Sequence, residues 1–208
     1  MNQNPCPPVS QAGLDERLVL SAMSGSMPGL LSFLEQGANP LSGNSRALAE
    51  AARNGYPQVL NHLMPLSNPR DAGSRALALA AENGHAECVK QLIPFSDPKV
   101  QNSRALRMAA MGGHEECARL LFSVSHRLSV SLAPFQAALK AGHAPLVAMM
   151  LDHDRCIGTT INLADCARRA SKMGHHETAA VLLSAHERQT LFNATALPAA
   201  RQMSPHRL

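Results

Sequence analysis

The chain has 208 residues, of which 45% are hydrophobic, and its formal net charge is +4 with His neutral. No apolar run approaches the ~20 residues that a membrane-spanning helix needs, and the excess of Lys and Arg is too small for a nucleic-acid-binding footprint. The length is sufficient to bury a core. With no Trp, one Tyr and five Phe, the composition favours short, closely packed helices rich in Ala and Leu.

The N-terminal segment 1–13 is polar and has neither a basic start nor an apolar stretch. It does not resemble a Sec-type signal peptide, and we expect a flexible leader. The five cysteines form no Cys-x-x-Cys pair, and we expect reduced thiols that act as small hydrophobic residues in a reducing compartment, the cytoplasm. They are Cys6, Cys88, Cys117, Cys156 and Cys166.

From residue 14 onward the sequence repeats. The phrase Ser-Arg-Ala-Leu begins at Ser45, Ser74 and Ser103, 29 residues apart each time. A register glycine recurs at intervals of 30, 29, 29, 29 and 32 residues, at Gly25, Gly55, Gly84, Gly113, Gly142 and Gly174. This period predicts an all-α solenoid of about six helix-turn-helix repeats. The predicted repeats are 14–44, 45–73, 74–102, 103–131, 132–162 and 163–184.

Two short helices are predicted in each unit. In the third unit, Ser74 is the expected N-cap of a first helix that buries Leu77, Ala80 and Ala81. Gly84 ends this helix, and a second helix follows over 85–93. The Ala-Ala pair allows neighbouring first helices to approach closely, and a bulky residue there would separate them.

The segment 185–208 breaks the period. A short helix near 187–192 is expected to cap the last repeat, and the remainder is expected to be a mobile tail.

The recurring A-A-x-x-G-H core with its following x-x-x-V/A-x-x-L-L/I resembles the ankyrin repeat family. It stands as AAENGHAECVKQLI at 80–93, as AAMGGHEECARLL at 109–121 and as AALKAGHAPLVAMML at 137–151. The resemblance covers about 14–184. It implies a solenoid that binds other proteins and needs no cofactor.

Two departures from the family matter for the expected fold. The Thr-Pro-Leu-His opening is replaced by Arg-Ala-Leu-x, which removes a Thr–His hydrogen-bond network. The period of 29 residues is shorter than the family's ~33, and the missing residues come from the loop after the second helix. We therefore expect the β-hairpin fingers to be short or absent. Such short units are similar to ankyrin domains of bacterial and phage proteins, including secreted effectors.

Histidine and cysteine side chains offer an alternative to binding, namely a catalytic or metal site. His85, His114, His143 and His175 follow the register glycines, and in this motif such rings bridge backbone groups of neighbouring loops. A metal or enzyme site would have to use the group His153, Asp154, Cys156 and Cys166, with His175 and His176 nearby. Its spacing lacks the paired ligands of zinc sites, and no nucleophile motif is present. We expect no enzyme, no metal and no cofactor.

If the first helices line the concave side, as the resemblance implies, equivalent positions form ladders across the repeats. The opening position holds Glu16, Arg46, Arg75, Arg104, Ala133 and Asp165. The position before the Ala-Ala pair holds Leu20, Glu50, Leu79, Met108, Ala137 and Arg169. The position after it holds Met23, Arg53, Glu82, Met111, Lys140 and Lys172.

Stacked arginines beside apolar side chains are typical of a protein-binding surface, because Arg pairs with carboxylates and Met adapts to varied partners. The alternative is that the surface has no binding function. In that case the arginines belong to the repeat consensus and are solvated, and Leu79 and Met108 pack under a loop. The candidate partner-binding residues are Arg46, Arg75, Leu79, Arg104, Arg107, Met108, Met111 and Lys140.

Three functions remain open. The first is a monomeric, non-enzymatic module that binds a protein with an acidic surface, and neither nucleic acid nor membrane. The second is a bacterial or phage effector or inhibitor that acts on host proteins through the same surface, with 1–13 as its export signal into the host cell. The third is an enzyme with an unrecognised site. The first is expected.

Overall fold

The computed structural model describes residues 10–97, 100–125, 132–153 and 161–201. Within these ranges the chain is helical and contains no strand. It divides into two compact units, 1–131 and 132–208, and the division falls between the predicted fourth and fifth repeats. The all-α solenoid of helix pairs is confirmed, and the described loops between the pairs carry no β-hairpin.

The described part of the first unit consists of four helix pairs. Its helices are α1 (Gln11–Ser24), α2 (Met27–Glu35), α3 (Ser42–Asn54), α4 (Pro57–Leu63), α5 (Asp71–Glu82), α6 (Ala86–Leu92), α7 (Val100–Gly112) and α8 (Glu115–Ser125), with a 3-10 turn at Met64–Leu66. The first helices of the pairs pack side by side along much of their length, α1 on α3, α3 on α5 and α5 on α7. The second helices contact one another over fewer residues. The first helices are therefore the more closely spaced layer.

The Ala-Ala pairs lie in the core of this layer. Ala80 and Ala81 are fully buried, as is Leu77, which confirms the predicted apolar stripe. The equivalent pairs Ala51–Ala52 and Ala109–Ala110 are also fully buried. A methyl group is the largest side chain that lets two helix backbones approach so closely, so these positions determine the spacing of the stack.

The repeat serine has a different role from the predicted one. Ser74 is not an N-cap, because α5 already begins at Asp71 and the Ser74 hydroxyl accepts a hydrogen bond from the Asp97 N–H at 3.0 Å. Ser45 likewise accepts from the Asn68 N–H at 3.0 Å and donates to the Asp71 carboxylate at 2.6 Å. The helix therefore begins before the predicted cap, and the hydroxyl anchors the loop that follows the second helix.

The loops that follow the second helices are stacked on one another. The Ser67 hydroxyl donates to the Pro40 carbonyl, and the Ser96 hydroxyl donates to the Pro69 carbonyl, both at 3.5 Å. The same contact thus recurs one repeat later. In the described ranges these hydroxyl–carbonyl contacts join loops that form no strand.

The glycine–histidine turns join successive first helices. All six register glycines have positive φ, from 71° to 84°. The ring of the histidine that follows each of three of these glycines donates its Nε2–H to a backbone carbonyl of the preceding repeat. His85 donates to Arg53 O at 3.0 Å, His114 donates to Glu82 O at 2.9 Å, and His175 donates to Lys140 O at 3.1 Å. For these three histidines the predicted backbone-bridging role is confirmed.

The second unit contains α9 (Ala133–Ala141), α10 (Ala144–His153), α11 (Leu163–Lys172) and α12 (His176–Arg201). Helix α12 packs on α10 and α11, and α9 packs on α10. The first helices α9 and α11, in contrast, contact each other over only a short stretch.

Both ends of the predicted solenoid need correction. Helix α1 begins at Gln11 and not after residue 13, because the Ser10 hydroxyl accepts from the Gly13 N–H and caps it. At the other end there is no separate cap helix at 187–192: the second helix of the last repeat continues unbroken from His176 to Arg201. No glycine lies in this stretch to stop the helix. The residues 1–9 and 202–208 lie outside the described ranges.

The cysteines of the first unit are buried. Cys88 and Cys117 are each 1% exposed and carry free thiols, as predicted, while Cys166 is half-buried and Cys6 and Cys156 lie outside the described ranges. Burial raises the pKa of Cys88 to about 11 and that of Cys117 to about 11, with smaller contributions from Glu87 and Glu116. Among the described helices, none combines the length and apolar character needed to cross a bilayer.

Candidate functional site

The predicted ladder begins with an ion pair between two repeats. Arg46 Nη1 on α3 lies 3.1 Å from Glu16 Oε2 on α1, so the opening positions of adjacent first helices are neighbours in space. Both side chains are about half exposed. The charge of Arg46 is therefore compensated, which makes it less available to a partner than Arg75.

Helix α7 presents four of the candidate residues on one face. Arg104, Arg107, Met108 and Met111 are spaced at i, i+3, i+4 and i+7, which places them along one side of a helix. The residues between them are buried, namely Ala105, Leu106, Ala109 and Ala110. Arg104, Arg107 and Met108 are half-buried, whereas Met111 is 53% exposed.

Helix α5 contributes Arg75 and Leu79 to the same layer. Arg75 is exposed and Leu79, one turn later, is half-buried. Neither Arg75 nor Arg107 makes a hydrogen bond or ion pair with any residue that the structure describes. The packing of α5 on α7 therefore brings two uncompensated guanidinium groups to one layer, together with partly accessible apolar side chains.

The remaining candidate, Lys140, belongs to the second unit. It is exposed on α9, near the end of that helix. Seven of the eight predicted residues thus lie on the first helices of the first unit, and the eighth is described separately below.

Three ladder residues outside the predicted candidate set show how exposure varies along the layer. Leu20 and Met23 on α1 are 53% and 39% exposed, and they extend the apolar part of the layer. The side chain of Glu50 is only 8% exposed, and its carboxylate lies 3.8 Å from Arg53 Nη1. All three residues stand at ladder positions in the sequence. Their exposure depends on how the helices pack, which residue type alone does not show.

No group of three potential metal ligands occurs in the ranges that the structure describes. Of the alternative catalytic group, Asp154 and Cys156 lie outside those ranges. Cys166 is half-buried on α11, and its pKa is raised, mainly by burial. The neighbouring His175 has its Nε2 occupied by the Lys140 carbonyl.

Comparison with known proteins agrees with this geometry. Residues 48–132 match the family model of ankyrin repeats, in three copies. The chain is similar to the crystal structure of the human ASB11 ankyrin repeat domain, with a TM-score of 0.68, 19% sequence identity and coverage of 81% of this chain and 82% of that one. At this identity the likeness concerns the fold. No curated protein matches the chain. The predicted ankyrin resemblance is confirmed.

Proposed function

We propose that this chain, in which residues 48–132 match the ankyrin repeat family, is a non-enzymatic module that binds a partner protein through the first-helix face of its first unit. This face is defined by Arg46, Arg75, Leu79, Arg104, Arg107, Met108 and Met111. Ankyrin repeats are in general protein-interaction modules, so the general function follows from the family. The choice of this face is the proposal.

The observation that carries it is the combination of two unpaired arginines with accessible apolar side chains on packed helices. Arg75 and Arg107 make no ion pair with a described residue, and Met111 is 53% exposed. Guanidinium groups form bidentate contacts with carboxylates, and a flexible Met packs against varied apolar surfaces. The face therefore suits a partner surface that has carboxylates around an apolar centre.

Charge reversal of the two unpaired arginines tests the proposal. Affinity capture from the source organism would identify the partner, and titration calorimetry with the purified pair would measure the dissociation constant. For an Arg75→Glu/Arg107→Glu variant we expect an affinity at least ~100-fold weaker, because two contacts to charged groups of about 1.5–3 kcal/mol each are replaced by repulsion. Neither arginine has an internal partner to lose, so the stability of the fold is expected to be unchanged.

The matched control carries the same change of charge on the second-helix layer. Lys90 on α6 and Arg119 on α8 are exposed, and a Lys90→Glu/Arg119→Glu variant is expected to bind within ~2-fold of the wild type apart from long-range screening. If the arginine variant bound as tightly as wild type, or if both variants weakened binding equally, the first-helix face would not be the binding surface.

A further inference from the structure

The second unit contains a cleft where the first unit has continuous packing. The cleft lies between α9 and α11, and its volume is about 310 Å³. The corresponding helices of the first unit, such as α5 and α7, pack against each other along their length. The second unit therefore departs from the repeat at this point.

One residue of the cleft departs from the repeat at the position of the Ala-Ala pair. Counted back from the register glycine, Leu139 stands where the second Ala of the Ala-Ala pair stands in the first unit, as Ala52, Ala81 or Ala110. The apparent Ala-Ala pair of this repeat, at 137–138, is displaced by one residue from that position. Leu139 lines the cleft and is 3% exposed, and a Leu is bulkier than the Ala that permits close approach of two helices.

The floor of the cleft is apolar. Phe135 is 2% exposed, and together with Leu139 it forms the buried base. Ile161 and Cys166, both half-buried, and Met173, 44% exposed, complete the apolar lining. This lining offers space for one large apolar side chain.

The rim of the cleft is cationic. Lys140 and Arg169 line it, and neither side chain has a hydrogen bond or ion pair with a residue in the described ranges. The one carboxylate of the lining, Asp165, is paired with Arg168, so its charge is compensated. The backbone at Lys140 is fixed by the hydrogen bond from His175 at 3.1 Å. Two available positive charges therefore border an apolar floor.

We propose that this cleft binds an acidic segment of another protein in which a carboxylate side chain lies next to one large apolar residue. The apolar residue would contact Phe135 and Leu139, and the carboxylate would pair with Arg169 and Lys140. The volume is at the lower end of the ~300–1,000 Å³ of small-molecule pockets, which fits a side chain with its neighbouring carboxylate better than a cofactor. All the lining residues of the cleft belong to the second unit, and none belongs to the first-helix face defined above.

Capped dipeptides provide a direct probe. The binding of acetyl-Leu-Asp-amide to the full ¹⁵N-labelled chain would be measured from amide chemical shifts and compared with acetyl-Leu-Asn-amide and acetyl-Ser-Asp-amide. We expect the first probe to bind in the millimolar range with shifts confined to α9 and α11. Each of the other two is expected to bind at least ~5-fold more weakly, because it lacks the carboxylate or the apolar side chain.

Single substitutions test whether Arg169 and Lys140 bind the carboxylate of the probe. Arg169→Gln and Lys140→Gln are each expected to weaken acetyl-Leu-Asp-amide at least ~5-fold, whereas Lys172→Gln, on the same helix but outside the lining, should leave the affinity within ~1.5-fold. Arg75→Glu/Arg107→Glu in the first unit should leave it unchanged, which separates this inference from the proposed function. Absence of shifts in α9 and α11, equal binding of the Asp and Asn probes, or equal loss with Lys172→Gln would overturn the proposal.

Discussion

Ser45 and Ser74 have φ angles of 56° and 59°, in the left-handed region that residues with a side chain seldom adopt. Each is almost fully buried, and each hydroxyl binds the backbone of the loop 23 residues later. The hydrogen bonds thus hold a backbone conformation that is unfavourable by itself. A sequence pattern shows that a serine recurs before a helix, but it cannot show a partner that only the fold brings near.

Substitutions at Ser45 separate the hydrogen bonds from the backbone strain. Ser45→Ala is expected to destabilise the fold by about 1–3 kcal/mol, because the Asn68 N–H and the Asp71 carboxylate lose their partner. Ser45→Gly loses the same bonds but favours positive φ, so it should be about 1 kcal/mol more stable than Ser45→Ala. Urea denaturation followed by circular dichroism measures both.

In a right-handed helix, the Ala variant should instead be more stable than the Gly variant. At the exposed Arg119 in the middle of α8, the Gly variant should be about 1 kcal/mol less stable than the Ala variant. If Ala were also preferred at position 45, the left-handed conformation would not matter to stability there.

The buried thiols predict a loss of stability at alkaline pH. The pKa of Cys88 and of Cys117 is about 11 in the folded chain, above the ordinary value, so the unfolded chain releases these protons first. The stabilising effect is complete below pH ~9 and declines from pH ~9 to ~11, by at most about 2–3 kcal/mol per thiol. In a Cys88→Ala/Cys117→Ala variant, the free energy of unfolding should depend less on pH over that interval. An unchanged slope would contradict the assignment.

At the scale of the helix pair, small residues and glycine turns determine how repeats stack. The Ala-Ala pairs and the register glycines were identified from the sequence because their effects are local: Ala permits close approach, and glycine permits positive φ. The cleft of the second unit was not predicted. The Ala-Ala at 137–138 matches the motif in sequence, although Leu139 occupies the equivalent of the second Ala and lines the cleft.

Two glycines distinguish backbone strain from side-chain crowding. Gly37 has a φ of 90° with nothing within 4 Å of an added Cβ, whereas at Gly84, with a φ of 77°, that Cβ would lie 2.5 Å from His114 Nδ1. Gly37→Ala should cost about 1–2 kcal/mol from the backbone alone. Gly84→Ala should cost at least about 1 kcal/mol more, because the ring must move and lose its bond to Glu82. Thermal unfolding of both variants checks the order, and equal costs would rule out crowding.

A large side chain in place of an Ala of the Ala-Ala pair tests whether these small residues set the spacing of α5 and α7. Ala81 is fully buried, and Ala81→Leu is expected to destabilise the first unit by about 1–3 kcal/mol because the helices must separate. Lys90→Leu, an equally apolar change at an exposed position of α6, should stay within about 0.5 kcal/mol of the wild type. Chemical denaturation gives both values, and a neutral Ala81→Leu would show that the Ala pair does not set the spacing.

At the scale of the whole chain, the period predicted the repeated helix pairs but neither the division after residue 131 nor the length of the last helix. The period carries no information about residues that do not repeat, and α12 extends through such a stretch. In a stack where each repeat contacts only its neighbours, an inner repeat is supported on both sides. Helix α5 packs between α3 and α7, whereas among the first helices α1 has only α3 beside it.

Hydrogen exchange should reflect this arrangement. The amides of α5 are expected to exchange at least ~10-fold more slowly than those of α1, because opening α5 disrupts two interfaces between first helices and opening α1 disrupts one. Mass spectrometry of peptides after timed exchange measures the difference. Equal protection of α1 and α5 would indicate that the first unit opens as a single cooperative block.

The stacked loops of the first unit also limit how this protein can choose a partner. In the described ranges the loops are joined through Ser67 and Ser96 to proline carbonyls and form no strand, so they offer no row of unpaired backbone groups for a partner strand to join. On the first-helix face proposed above, recognition would therefore depend on side chains. Because the Ser, Ala, Gly and His positions that build the stack differ from the exposed positions of α5 and α7, substitutions on that proposed face would change its specificity while the fold is retained.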